Sequence, residues 1–167
     1  LNRGYRVQLS AGSFALTGRD VTLTYAPASY HQPQLIAVDA DGTDADRIFL
    51  RAEAPGTVTF NLSHIENFKI RGKFWIFENI TFVGDCMDAS GCEHAFHIVA
   101  DADDVIFRKN EVVNFASHVK LNGEVVGQGP ANSFPDRTWF IGNFWHNTRY
   151  VNNDAPHNIL NLDGGKD

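Results

Sequence analysis

The chain repeats one short pattern three times, and this repeat limits its fold more than any other feature. The three segments are Phe74-Trp-Ile-Phe-Glu-Asn79-Ile-Thr-Phe82, Val105-Ile-Phe-Arg-Lys-Asn110-Glu-Val-Val113 and Trp139-Phe-Ile-Gly-Asn143-Phe-Trp145. Each reads as a short apolar strand, a tight polar corner with an asparagine, and a second short strand. The asparagines lie 31 and 33 residues apart. A second element recurs between them: Phe96-His-Ile98 before Asp101, Val119-Lys-Leu121 before Asn122, and Leu160-Asn-Leu162 before Asp163. An earlier version is Val58-Thr-Phe60 before Asn61. The order apolar-polar-apolar is the period-two signature of a strand with one buried face.

Short strands at regular intervals, separated by loops of unequal length, describe a solenoid. One coil cannot bury its own apolar face, whereas stacked coils share a continuous interior. The expectation is an all-β, right-handed parallel β-helix formed by one domain over residues 1–167. Loops would protrude near 85–93 and 124–136, the second containing Gly127, Gly129, Pro130 and Pro135. Composition agrees: 13 Phe, 14 Gly and a single Met favour pleated surfaces and turns over helices. Asn79, Asn110 and Asn143 are expected to stack as a ladder, because a buried amide offers a donor and an acceptor to corner groups that lack strand partners. A β-sandwich also has many short strands, but it has no axial ladder.

The N-terminal third is less regular. Its strand candidates are Tyr5–Leu9, Val21–Tyr25, Leu35–Val38 and Arg47–Leu50. At the other end, Asp163-Gly-Gly-Lys-Asp167 stands where the next corner would begin. Solenoid ends need a cap or a partner, so the expectation is a truncated solenoid that continues, or self-associates, through an open last coil.

Fourteen basic and 20 acidic residues give a net charge of −6, which argues against a nucleic-acid binder. No apolar run approaches the roughly 20 residues of a membrane span. Cys86 and Cys92 flank a short, polar, Gly-containing segment, so a local disulfide is expected, and with it a secreted or periplasmic location.

The stretch Ala54-Pro-Gly-Thr-Val-Thr-Phe60, followed by Phe68-Lys-Ile-Arg-Gly-Lys-Phe-Trp-Ile-Phe-Glu-Asn-Ile-Thr-Phe82, resembles the early coils of pectate-lyase-like β-helix proteins. It is most similar to the chondroitinase B and alginate lyase family. Asn114-Phe-Ala-Ser-His-Val-Lys-Leu121 resembles the coil in which that family carries its catalytic lysine. The resemblance implies a polysaccharide lyase. Such an enzyme removes the proton alpha to a uronate carboxylate and expels the 4-linked sugar, using a lysine base, an arginine on the following coil, and calcium. It places Lys120 as the base and Arg137 as the arginine, with Arg149 farther along. Asn114, Glu111 and Glu124 are the nearest matches to the calcium ligands.

Read from the residues alone, the middle positions Thr59, His97, Lys120 and Asn161 form an outward row. Lys120 or His97 is the candidate base, with His94, His118, Asn161 and Trp145 as substrate contacts, to which the resemblance adds Arg149. His94 and His97 are three apart, which on a strand puts them on opposite faces and argues against a shared metal. Trp75 and Trp139 sit in strongly apolar strands and are expected in the core. Asp39–Asp46 reads as an acidic loop, with calcium binding as the alternative. The function expected is therefore a carbohydrate-active β-helix cleaving an acidic polysaccharide. The rival is a non-catalytic β-helix that binds carbohydrate, adheres or assembles.

Overall fold

The structure, a computed structural model, describes residues 6–9, 23–25, 34–62, 65–86, 91–123, 133–149 and 158–163. Every element among them is a β-strand. The strands fall into three parallel sheets, one per side of a β-helix. The first contains β1 (Arg6–Leu9), β4 (Ile48–Ala52), β7 (Trp75–Glu78), β10 (Ile106–Arg108) and β13 (Trp139–Ile141). The second contains β5 (Thr59–Leu62), β8 (Thr81–Gly84), β11 (Glu111–Val113) and β14 (Phe144–His146). The third contains β3 (Gln34–Val38), β6 (Glu66–Ile70), β9 (His94–Val99), β12 (Ser117–Asn122) and β15 (Asn158–Asp163). One strand departs from this order: β2 (Leu23–Tyr25) pairs antiparallel with β3 and closes that edge of the third sheet.

Parallel, in-register pairing stacks like on like, and this explains the many phenylalanines. Leu50, Phe77, Phe107 and Phe140 form the inward column of the first sheet. Phe77 and Phe107 stack at 4.9 Å, and Phe107 and Phe140 at 5.4 Å. Phe60, Phe82, Val112 and Trp145 form the column of the second sheet. Ile36, Phe68, Phe96, Val119 and Leu160 form a column of the third. The columns meet at Phe96, whose ring lies within 6 Å of Phe68, Phe77, Phe82 and Phe107. Ring pairs at such spacings add about 0.5–1.5 kcal/mol each beyond the area they bury.

The corner between the first and second sheets is the tightest. Five residues separate Ile76 from Thr81, Ile106 from Glu111 and Trp139 from Phe144, each pair in register with the next. Asn79, Lys109 and Gly142 occupy the same step of this corner, all in the left-handed region (φ 61°, 54° and 59°). The next step holds the ladder. Asn110 Nδ2 donates to Phe77 O, and Asn110 Oδ1 accepts from the Ile80 amide. Asn143 repeats the arrangement, donating to Phe107 O and accepting from the Asn110 amide. Asn79 is one residue early: Ile80 holds its ladder position, while Asn79 takes the left-handed step and donates to Ala52 O. The expected stack of three is therefore a stack of two with an offset neighbour.

Three further expectations are corrected by the register. Thr59 lies in the second sheet, paired with Thr81, and does not precede His97. The residue below His97 is Lys69. Trp139 faces outward in line with Ile76 and Ile106 and is 55% exposed, whereas Trp75 is buried as expected and donates to Ala40 O. Trp145 points inward, edge-on to Phe140 and His118, where the inward columns reach β13, β14 and β15. A cavity of about 220 Å³ lies there, lined by Val119, Phe140, Trp145, Ile159 and Leu160.

Candidate functional site

The third sheet carries an outward line of nitrogen-bearing side chains. Lys69, His97, Lys120 and Asn161 are aligned in register on β6, β9, β12 and β15. Strand alternation causes this: in each of β6, β9 and β12 the residues on either side of the line are buried apolar groups, such as Phe68 and Ile70 around Lys69. His97, Lys120 and Asn161 are thus brought together as the sequence predicts. Lys69 was missed, although Phe68-Lys69-Ile70 carries the same apolar-polar-apolar signal.

His97 is held from both sides. Its Nδ1 is 2.8 Å from Glu66 Oε1 on the coil below, and its Nε2 faces Asn122 Oδ1 on the coil above. Asn122 Nδ2 donates to Gly123 O, so its carbonyl oxygen is the atom turned toward the imidazole. With a carboxylate at one nitrogen and an amide oxygen facing the other, the buried ring presents neither nitrogen to a substrate. Burial works against the Glu66 charge, but the close contact with His97 and its charge, with His94 and Lys69 behind it, more than offset that. The Glu66 pKa is lowered as a result.

His94 begins β9 and is buried, with Nε2 3.2 Å from Glu93 Oε1 and Nδ1 3.4 Å from Ser117 O. Its ring centre is 6.0 Å from that of His97, so the two imidazoles are neighbours and the expectation of opposite faces is corrected. A strand's first residue is free of the alternation that constrains its interior. The adjacent His94 imidazole holds the Glu93 carboxyl low despite partial burial, with Lys120 contributing a weaker attraction. Two buried imidazoles and two carboxylates therefore lie beneath and between the two outward ammonium groups. Among the described residues, neither Lys69 nor Lys120 is in a salt bridge.

Other predicted contacts lie elsewhere. His118 is fully buried against Phe115 and Trp145, with Nε2 3.0 Å from His146 O. Burial lowers its pKa and favours the neutral ring. It is an interior residue and cannot touch a polymer on the surface. Trp145, at the centre of the inward face, is likewise no sugar platform. Arg137 opens the first sheet, 55% exposed, and chelates Asp104 at 2.8 and 3.0 Å. That corner is not the one that carries Lys120. Arg149 donates to the carbonyl of Cys86, within the loop that the Cys86–Cys92 disulfide closes.

Two of the three calcium ligands implied by the resemblance fall among the described residues. Glu111 accepts from Thr81 and lies 3.0 Å from His146 Nε2. Asn114 sits in the left-handed region at the next corner, its amide bonded to Asn147 O. Glu124 falls outside the described residues. Among the described residues no three carboxylate, imidazole or thiol groups converge as metal ligands, those of Asp39–Asp46 included. Comparison of the chain with protein-family models, with curated proteins and with solved structures gives no match in any of the three.

Proposed function

We propose that this protein is a carbohydrate-active β-helix that binds an acidic, uronate-containing polysaccharide along its third sheet and cleaves it by β-elimination. Lys120 is the base. The observation that carries this reading is the alignment of Lys69, His97 and Lys120 on consecutive coils, both ammonium groups without a carboxylate partner among the described residues. In a chain of net charge −6, cations aligned along the axis suit an anionic polymer laid upon them. Coils about 4.8 Å apart would offer it a donor at each step. The disulfide and the absence, among the described residues, of a helix able to cross a membrane are compatible with a site outside the cytoplasm.

The chemistry follows from the placement. Lys69 receives the uronate carboxylate and holds the charge that builds on it, while His97, fixed between Glu66 and Asn122, keeps Glu66 away from the ammonium. The Lys120 amine takes the proton on the adjacent carbon, and that C–H electron pair becomes the new carbon–carbon double bond. The bond to the 4-linked oxygen breaks, and the departing oxygen acquires a proton. No step uses a metal or Arg137.

A second reading is a non-catalytic module that binds the same polymer. It is favoured by the engagement of both His97 nitrogens and by the commitment of Arg137 to Asp104. Absorbance near about 235 nm, where unsaturated uronates absorb, separates the two readings when alginate, pectate or chondroitin is supplied with and without calcium, because only elimination creates that double bond. On the lyase reading, Lys120→Ala lowers the rate by about 100-fold or more. Retained activity in that variant removes Lys120 as base. Binding with no absorbance change on any substrate leaves the module.

A further inference from the structure

The tight corner between the first and second sheets carries a groove on a different part of the surface from the Lys69–His97–Lys120 line. It runs parallel to the axis across four successive coils, from Gly56 through Thr81 and then Lys109 and Glu111 to Gly142 and Phe144, and encloses about 370 Å³. Three coil steps make it about 14 Å long. Gly56 and Gly142 both take positive φ, and a Cβ placed on either meets nothing within 4 Å, so the groove is open above them.

Its walls are chemically mixed in a consistent way. The Phe144 ring is 62% exposed yet held in place, stacked on His146 at 4.3 Å. His146 is fixed in turn by Glu111, and Glu111 by Thr81. A rigid, exposed ring beside an anchored carboxylate gives an apolar platform with a hydrogen-bond acceptor at its edge. The Lys109 ammonium, on the exposed step of the corner, has no ion-pair partner among the described residues. An exposed aromatic platform, a fixed acceptor and the exposed Lys109 ammonium along one trough match a linear saccharide with a carboxylate at the Lys109 position.

We infer that this corner groove is a second carbohydrate site, taking a linear acidic oligosaccharide of roughly two or three rings. It holds sugar without cleaving it, and it stands apart from the lyase reading.

The test is a titration of ¹⁵N-labelled protein with a trigalacturonate and, separately, with its uncharged methyl ester, followed by amide shifts. The expected result is movement at Thr81, Glu111 and Phe144. Phe144→Ala weakens both ligands about five- to tenfold, the size of one lost stacking contact. Lys109→Gln weakens the charged trisaccharide several-fold and leaves the ester unchanged. Phe144 and Lys109 are exposed, so both variants keep the fold. Shifts confined to the third sheet overturn the site. Equal binding of both sugars, unaltered by Lys109→Gln, overturns the acidic occupant. Shifts at this corner that depend on protein concentration without sugar assign the groove to a second copy of the chain and also overturn it. A Lys120→Ala protein that cleaves nothing, or cleaves normally, leaves the corner shifts in place, so the two readings fail separately.

Discussion

Glu66 Oε1 on one coil lies 2.8 Å from His97 Nδ1 on the next, joining β6 to β9 through side chains as well as backbone. The Glu66 carboxyl is held below its ordinary value of 4.5. A group whose folded pKa is depressed stabilises the fold above its unfolded pKa and loses that contribution as pH falls through the folded value. Glu66→Gln is therefore expected to cost about 1–2 kcal/mol near neutral pH, because it removes one partner of a largely buried ion-pair contact. The difference from wild type should close as pH drops below about 4.5. Urea unfolding at several pH values checks this. A gap that widens on acidification contradicts the pairing.

The offset of Asn79 from the ladder makes a ranking. Asn110→Ala removes the donor to Phe77 O and the acceptor for the Ile80 amide, both in buried positions, and should destabilise by about 3 kcal/mol. Asn79→Ala loses a single 3.3 Å bond and places alanine in the left-handed region, for about 1–2 kcal/mol. Denaturation midpoints in the reverse order would mean that the ladder is misassigned.

The disulfide spans a sequence separation of six, and Cys92 is buried beside the start of β9. Closing so short a loop restricts the unfolded chain modestly, so the Cys86→Ala/Cys92→Ala double variant should lose about 2 kcal/mol. Because Glu93 and His94 follow Cys92 directly, their amides should also exchange with deuterium faster. Unchanged exchange there would separate the loop from the site.

Gly72 sits where a side chain has no room. A Cβ on it would lie 2.1 Å from Ala40 O and 2.7 Å from Trp75 Nε1, the two ends of one hydrogen bond. Gly72→Ala must push Trp75 or the Ala40 backbone aside and should destabilise by about 2–3 kcal/mol. A red shift in the emission of Trp75 would report the displaced indole.

Stacked coils were legible because parallel registration copies residue type: Phe77 over Phe107, Ile98 over Leu121. Three limits came from the same physics. Asn79 and Asn110 look equivalent by spacing, yet the coil step between them is 30 residues, as Ile76 and Ile106 show, so a one-residue difference was hidden. Val58-Thr-Phe60 has the alternation of any half-buried strand, which says nothing about which of three sheets it joins. The partnerships of His97 with Glu66 and Asn122 depend on which residues the stacking brings level, and Trp145 faces inward because Phe82 and Val112 below it do. Aromatic character alone carries no such direction.

Neighbour-only contact has a consequence for how the molecule comes apart. A coil in the middle is gripped from above and below, whereas β13, β14 and β15 each pair on one side only among the described strands. Heat or denaturant should therefore loosen such one-sided strands, β1 and β5 included, before the middle yields, so no single melting temperature describes the whole. The tryptophans are placed to time the two events, since Trp139 and Trp145 ride on the outermost strands and Trp75 is sealed three strands into the first sheet.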